Sequence, residues 1–153
     1  MSEIIRVGVR GGEGDQPLTR RAPWTEMLAA ASVPEVVAHF GAGGAALMSR
    51  AARVLWLGEA NAASDDQLHQ ARDRAHINIR ADMGEFAAAL RDRGALQAGL
   101  DVQQATAILF AVCANETIFL RLIDECGWTT DQYAELIEQI VTGLVLAPDR
   151  HTA

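Results

Sequence analysis

The sequence predicts an all-α fold, an antiparallel helical bundle, from its composition and from a capping pattern that recurs before its apolar segments. The 153 residues include 28 Ala, and only 5% are aromatic. Alanine favours helix because it loses no rotamer freedom there and covers a pleated face poorly. Several closely linked helical segments without strand alternation indicate a helical bundle.

The recurring pattern is the capping box, in which Ser, Thr or Asp precedes a helix and Glu or Gln follows three residues later. Each side chain then accepts a hydrogen bond from the other residue's backbone N–H. The pattern occurs at Ser32–Glu35, Ser64–Gln67, Asp101–Gln104 and Thr129–Gln132. Helix ends are predicted at Gly41, Gly58, Gly94 and Gly127, and before Pro148, because glycine suits the residue after a helix and proline cannot continue one.

These signals predict helices over residues 24–31, 33–40, 44–58, 64–93, 102–125 and 130–146. The glycines of 41–44 separate the second helix from the third, since glycine disfavours a helix interior. Residues 1–22 show no helical period and are predicted to be a loop or frayed end, and residues 148–153 a tail. The glycines between Gly8 and Gly14 lack the Gly-Lys-Ser/Thr of a phosphate-binding loop.

Two of these helices carry more information. Residues 64–93 form one stripe from Leu68 to Leu90 that includes Arg72 and His76. Residues 102–125 are apolar on two sides, and a helix that is apolar nearly all round is buried on more than one side. We therefore expect this helix to lie between its own core and a second subunit.

Charge and cysteine content exclude several classes. A net charge of −7 excludes nucleic-acid binding through bulk electrostatics, which needs clustered positive charge. Two cysteines are too few for a disulfide framework in a chain of this length. The N-terminus has no export signal, and no uninterrupted apolar run reaches the roughly 20 residues of a membrane span. We expect a soluble cytoplasmic protein with no membrane partner.

Part of the sequence resembles the C-terminal regulatory domain of the tetracycline-repressor (TetR) family. The likeness rests on Arg93-Gly94-Ala95-Leu96, on Gly99-Leu100 before a capped helix, and on Gly127-Trp128-Thr129 with Asp131-Gln132-Tyr133. The stretch Gly12-Glu13-Gly14-Asp15-Gln16-Pro17-Leu18, closing on Pro23-Trp24, resembles the loop after the long connecting helix of actinobacterial members. With weaker matching between these blocks, the resemblance covers most of residues 12–146.

The resemblance implies a ligand-binding and dimerisation domain over residues 23–147. It also implies a homodimer in which the last two helices of each subunit form a four-helix bundle. The family's helix-turn-helix domain has no counterpart in these residues, so DNA would be contacted only through a domain that this chain lacks. Two explanations stay open: a missing upstream segment, or a free-standing regulatory core.

The effector is predicted to be a small apolar molecule bound among the middle helices, without a cofactor. The candidate ligand-binding residues are Met48, Leu55, Trp56, Arg72, His76, Met83, Phe110, Cys113 and Glu116. The candidate dimer-interface residues are Phe119, Ile123, Tyr133, Ile137, Ile140, Val141 and Leu144. No metal site is expected, because His69 and His76 are roughly 10.5 Å apart along a helix.

Glu116 is the most informative polar residue, because an unpaired buried carboxylate is costly. Glu116 either meets a donor of the ligand, or pairs with Arg72 or His76, or has a structural role such as a hydrogen bond at an interface. The resemblance to the family favours the structural role. Two other functions stay open: a ligand carrier or acid/base enzyme that uses Glu116 or His76, and a dimerisation partner of full-length relatives.

Overall fold

The computed structural model describes residues 22–148, which form an all-α helical bundle without a β-strand in that range. Its α-helices are α1 Ala22–Ala29, α2 Val33–Asn61, α3 Asp66–Asp92, α4 Val102–Ile108, α5 Glu116–Leu120 and α6 Thr130–Leu144. Single π-helical segments, Leu109–Cys113 and Arg121–Glu125, follow α4 and α5. Except for Ala22 and Pro148, the predicted N-terminal loop and C-terminal tail lie outside the described residues.

Three of the four predicted capping boxes are confirmed, at the starts of α2, α4 and α6. At α4, for example, the Gln104 amide donates to Asp101 Oδ1 over 2.7 Å and the Asp101 amide donates to Gln104 Oε1 over 3.0 Å. The box at Ser64 was wrong. Asp65 caps α3 instead, since its Oδ1 accepts from two amides of the first turn, at 2.8 and 3.1 Å.

The predicted break at residues 41–44 was also wrong, because α2 runs unbroken from Val33 to Asn61. Gly41 is buried in it, and a β-carbon there would lie 2.8 Å from the carbonyl oxygen of Ala134 in α6. The glycine therefore permits a close approach of two helices, which outweighs its cost within a helix. Gly58 likewise lies inside α2, whereas Gly94 and Gly127 have the predicted left-handed conformation, with φ of 68° and 70°.

The core lies around α2, which makes its most extensive contact with α6 and also packs against α1, α3 and α5. Phe40 of α2 stacks on Phe86 of α3 with ring centroids 4.1 Å apart. The largest side chains that are fully buried are Tyr133, Phe86, Leu90, Leu109, Ile137, Val36, Val141 and Val145. These residues come from every long helix, so one core joins the described residues.

The predicted helix over 102–125 is not continuous. The π-helical segment ends at Ala114, whose φ and ψ of −106° and 34° leave helical geometry. Asn115 then caps α5 by accepting from the Ile118 amide over 3.0 Å. An Asn side chain that bonds to the nearby backbone competes with the hydrogen bonds of the helix. The helix therefore breaks at Asn115.

The segment Val102–Glu125 is long and apolar enough, by length and composition alone, to cross a membrane. The segment is not an uninterrupted apolar run, because it contains Gln104, Asn115 and Glu116. Core helices of soluble proteins pass the same test, and Ala105, Leu109 and Phe119 of this segment are buried in the core. Only 22% of its most apolar stretch is buried, however. One side of the segment is therefore not packed against other described residues.

Candidate ligand cavity

A cavity of about 320 Å³ lies between the C-terminal half of α2, the N-terminal half of α3 and the break before α5. Its volume is at the lower end of the range of small-molecule sites. Its lining is Val54, Leu55, Gly58, Glu59, Leu68, Ala71, Arg72, Ala75, His76, Ile79, Phe110, Ala111, Ala114, Asn115, Glu116 and Thr117. Apolar groups dominate this set, and a few polar groups converge on it.

Local structure explains how these groups meet. On α3, Leu68, Arg72, Ala75, His76 and Ile79 recur every three or four residues and so share one face. The backbone break at Ala114–Asn115 separates the π-helical segment from α5, and residues on both sides of it line the cavity. π-helical segments are often found at functional sites, and here one ends at the cavity wall.

The two basic side chains of the cavity, Arg72 and His76, already have acidic partners. Arg72 donates to Asp73 Oδ1 from Nη2 and Nε, over 2.8 and 3.1 Å, and its Nη1 lies 4.0 Å from Glu59 Oε1. His76 Nε2 lies 3.8 Å from Glu59 Oε2. The hydrogen bond between Arg72 and Asp73 raises the pKa of the guanidinium and lowers the pKa of the carboxyl.

Glu116 contrasts with these groups. It is half-buried at the start of α5 and forms no hydrogen bond or ion pair with the residues that the structure describes. Arg72 and His76, the two partners considered from the sequence, pair with Glu59 and Asp73 instead. Glu116 therefore pairs with neither Arg72 nor His76, and a donor of the ligand or a hydrogen bond at an interface stays open as its partner.

Two buried polar groups lie near Glu116. Tyr133 is fully buried, and its hydroxyl has no hydrogen-bond partner within residues 22–148. Burial raises the pKa of Tyr133, and Cys113 and Glu116 raise it further by charge repulsion. Burial also raises the pKa of the Cys113 thiol to about 12. This keeps the thiol protonated and unreactive at neutral pH.

The structure brings five of the nine candidate ligand residues to the cavity: Leu55, Arg72, His76, Phe110 and Glu116. Met48, Met83 and Cys113 lie in the core, and we assign them to packing. Trp56 is 46% exposed and outside the cavity. Sequence reasoning missed Glu59 and Asn115, although Asn115 had a signal as an N-cap residue inside an apolar helix.

Of the candidate interface residues, Phe119, Tyr133, Ile137 and Val141 are buried within this one chain. Packing of α5 and α6 against α2 accounts for their apolarity, so we assign these four to the core. Ile123 and Ile140 are half-buried, and Leu144 is 50% exposed. These three remain available to a second copy.

No protein-family model matches this chain, and no curated protein or solved structure is significantly similar to it. Within residues 22–148 no three His, Cys, Asp or Glu side chains group closely enough to hold a metal ion. The likeness to TetR regulators therefore stays a prediction based on its motifs.

Proposed function

We propose that this chain is the effector-sensing and homodimerisation domain of a TetR-like transcriptional regulator, and that its effector is a small apolar molecule. The observation that carries the proposal is the cavity between α2, α3 and α5, whose walls are mostly apolar and whose polar groups are few. Pockets of this composition are the usual binding sites of small ligands. We expect such a domain to be cytoplasmic.

The position of the cavity fits a sensing role. Helix α2 lines the cavity and also packs along α6. A ligand between α2 and α3 therefore contacts a helix that also packs against α6. A ligand that prefers one of two helix arrangements shifts the population towards it. In a dimer, such a shift changes the spacing of attached DNA-binding domains. With a net charge of −7, the chain itself is not the DNA-binding part.

Ligand binding is tested with N-phenyl-1-naphthylamine, a neutral apolar dye that fluoresces strongly away from water. We expect saturable fluorescence with the unaltered chain and its loss in Ala75→Phe, because Ala75 lines the cavity. Ala81→Phe is the matched control, since Ala81 is exposed on α3 and outside the cavity. Equal fluorescence from both variants, with unfolding temperatures like that of the parent, would show that the dye binds elsewhere.

Dimerisation is tested by sedimentation velocity at micromolar concentration, where we expect a dimer. Leu144→Glu should split it, because Leu144 is 50% exposed and burying an unpaired carboxylate at an interface is costly. Glu135→Gln on the same helix serves as a surface control, because Glu135 is exposed. A monomeric parent chain would contradict the dimer.

The link to DNA is tested by translating the gene upstream of the Met1 codon in the same frame. An in-frame helix-turn-helix supports a regulator. A stop codon close to Met1 would favour the carrier, enzyme or dimerisation-partner alternatives.

A further inference from the structure

The most unusual group in the cavity is the carboxylate of Glu116. It lies in the wall beside Phe110, Ala111 and Ala114, and it has no hydrogen-bonding or ionic partner among residues 22–148. A ligand that supplies a positive donor can pair with this carboxylate, because a hydrogen bond to a charged group is stronger than one between neutral groups.

The basic side chains on the opposite wall, Arg72 and His76, do not donate to Glu116. The guanidinium of Arg72 is shared between Asp73 and Glu59, and the His76 ring faces Glu59. Among the Asp, Glu and Arg side chains that line the cavity, the two carboxylates of Glu59 and Glu116 outnumber the one guanidinium of Arg72. The neighbourhood of the cavity is therefore net negative, which repels anionic ligands and attracts cationic ones.

The rest of the cavity suits an apolar body. Leu55, Leu68 and Ile79 contribute aliphatic surface from two helices, and Phe110 contributes an aromatic ring from the wall that also carries Glu116. An aromatic ring is compatible with a nearby cation, because its π-face attracts positive charge. Apolar contact and the carboxylate can thus act on one small molecule at once.

We infer that the cavity selects amphipathic cations, namely small apolar amines whose charged nitrogen pairs with Glu116 while the apolar body packs on Leu55, Ile79 and Phe110. This inference rests on the proposed function, since it names the class of effector that the proposed sensing domain takes.

The test uses three probes that share one apolar body and differ in charge: 4-butylbenzylamine, 4-butylbenzyl alcohol and 4-butylbenzoate. Their binding to the full chain is measured by calorimetry at pH 7. We expect the amine to bind about tenfold more tightly than the alcohol, because a charge-assisted hydrogen bond contributes that much. The benzoate should bind more weakly than the alcohol.

Glu116→Gln should remove the preference for the amine and leave the affinity for the alcohol unchanged, which also shows that the variant retains its cavity. Glu125→Gln is the matched control, because Glu125 is exposed and does not line the cavity. Equal binding of amine and alcohol, or a preference that survives in Glu116→Gln, would overturn the inference while leaving the cavity a ligand site. Binding of none of the probes would overturn both the inference and the proposed ligand function.

Discussion

Gly41 of α2 packs directly on the backbone of Ala134 in α6. A β-carbon on Gly41 would lie 2.8 Å from the Ala134 carbonyl oxygen and 2.9 Å from Cγ of Glu138. Because the first of these atoms belongs to the backbone, it cannot move aside without shifting a helix. This close contact between α2 and α6 therefore depends on a residue without a side chain.

Gly41→Ala should lower the free energy of unfolding by about 1–3 kcal/mol, the usual cost of overpacking. Gly43→Ala in the same helix should raise it by about 0.5–1 kcal/mol, because alanine has the higher helix propensity. Gly43 is exposed, and a β-carbon there would meet nothing within 4 Å. Urea unfolding followed by circular dichroism measures both values. A stabilising effect of both substitutions would contradict the close approach.

The start of α3 offers a second matched pair. Asp65→Ala should cost about 1 kcal/mol in the free energy of unfolding, because it removes the acceptor of two first-turn amides. Ser64→Ala should cost less than about 0.5 kcal/mol, since it removes only an exposed turn hydrogen bond to Asn61. If Ser64→Ala were the more costly change, the original assignment of Ser64 as N-cap would be restored.

The unpaired hydroxyl of Tyr133 predicts a substitution that stabilises the chain. Tyr133→Phe should raise the free energy of unfolding by about 1 kcal/mol, because it removes a buried polar group without a partner and keeps the ring. That ring lies edge-on to Phe119, with centroids 4.9 Å apart, and the substitution preserves this contact. Thermal and urea unfolding measure the change. A loss of stability would mean that the hydroxyl has a bound partner, such as a water.

Stability should fall as pH rises above about 9. The Cys113 thiol keeps its proton in the folded chain up to a pKa of about 12, whereas the ordinary value is 9.0. Between these values only the unfolded chain has released this proton, so alkaline pH favours unfolding by about 1.4 kcal/mol per pH unit. The raised pKa of Tyr133 acts in the same direction at higher pH.

Urea unfolding at several pH values between 8 and 10.5 measures this dependence. Cys113→Ala should flatten it, and Cys126→Ala should not, because Cys126 is exposed. An unchanged slope in Cys113→Ala would mean that the thiol ionises normally in the folded chain.

Local features of the fold were predictable because their causes lie within a few residues. The capping boxes at Ser32, Asp101 and Thr129 and the left-handed turns at Gly94 and Gly127 satisfy nearby backbone groups whatever the rest of the chain does. The periodic stripe of α3 was predictable for the same reason, because residues three or four apart share one face of a helix. It correctly placed Arg72 and His76 on the face that carries Leu68. For the cavity, an acid in an apolar stripe was enough to single out Glu116.

Only the tertiary structure decided which of these features meet. It placed Gly41 against Ala134, which turned an expected helix end into a helix contact. It buried Tyr133 and Ile137 within one chain rather than between two. It also paired Arg72 and His76 with Glu59 and left Glu116 alone. Each outcome depends on distances between residues far apart in sequence, whereas capping and periodicity depend on neighbours. The sequence by itself therefore determined an acidic chain of capped helices, and packing decided its cavity and that cavity's unpaired charge.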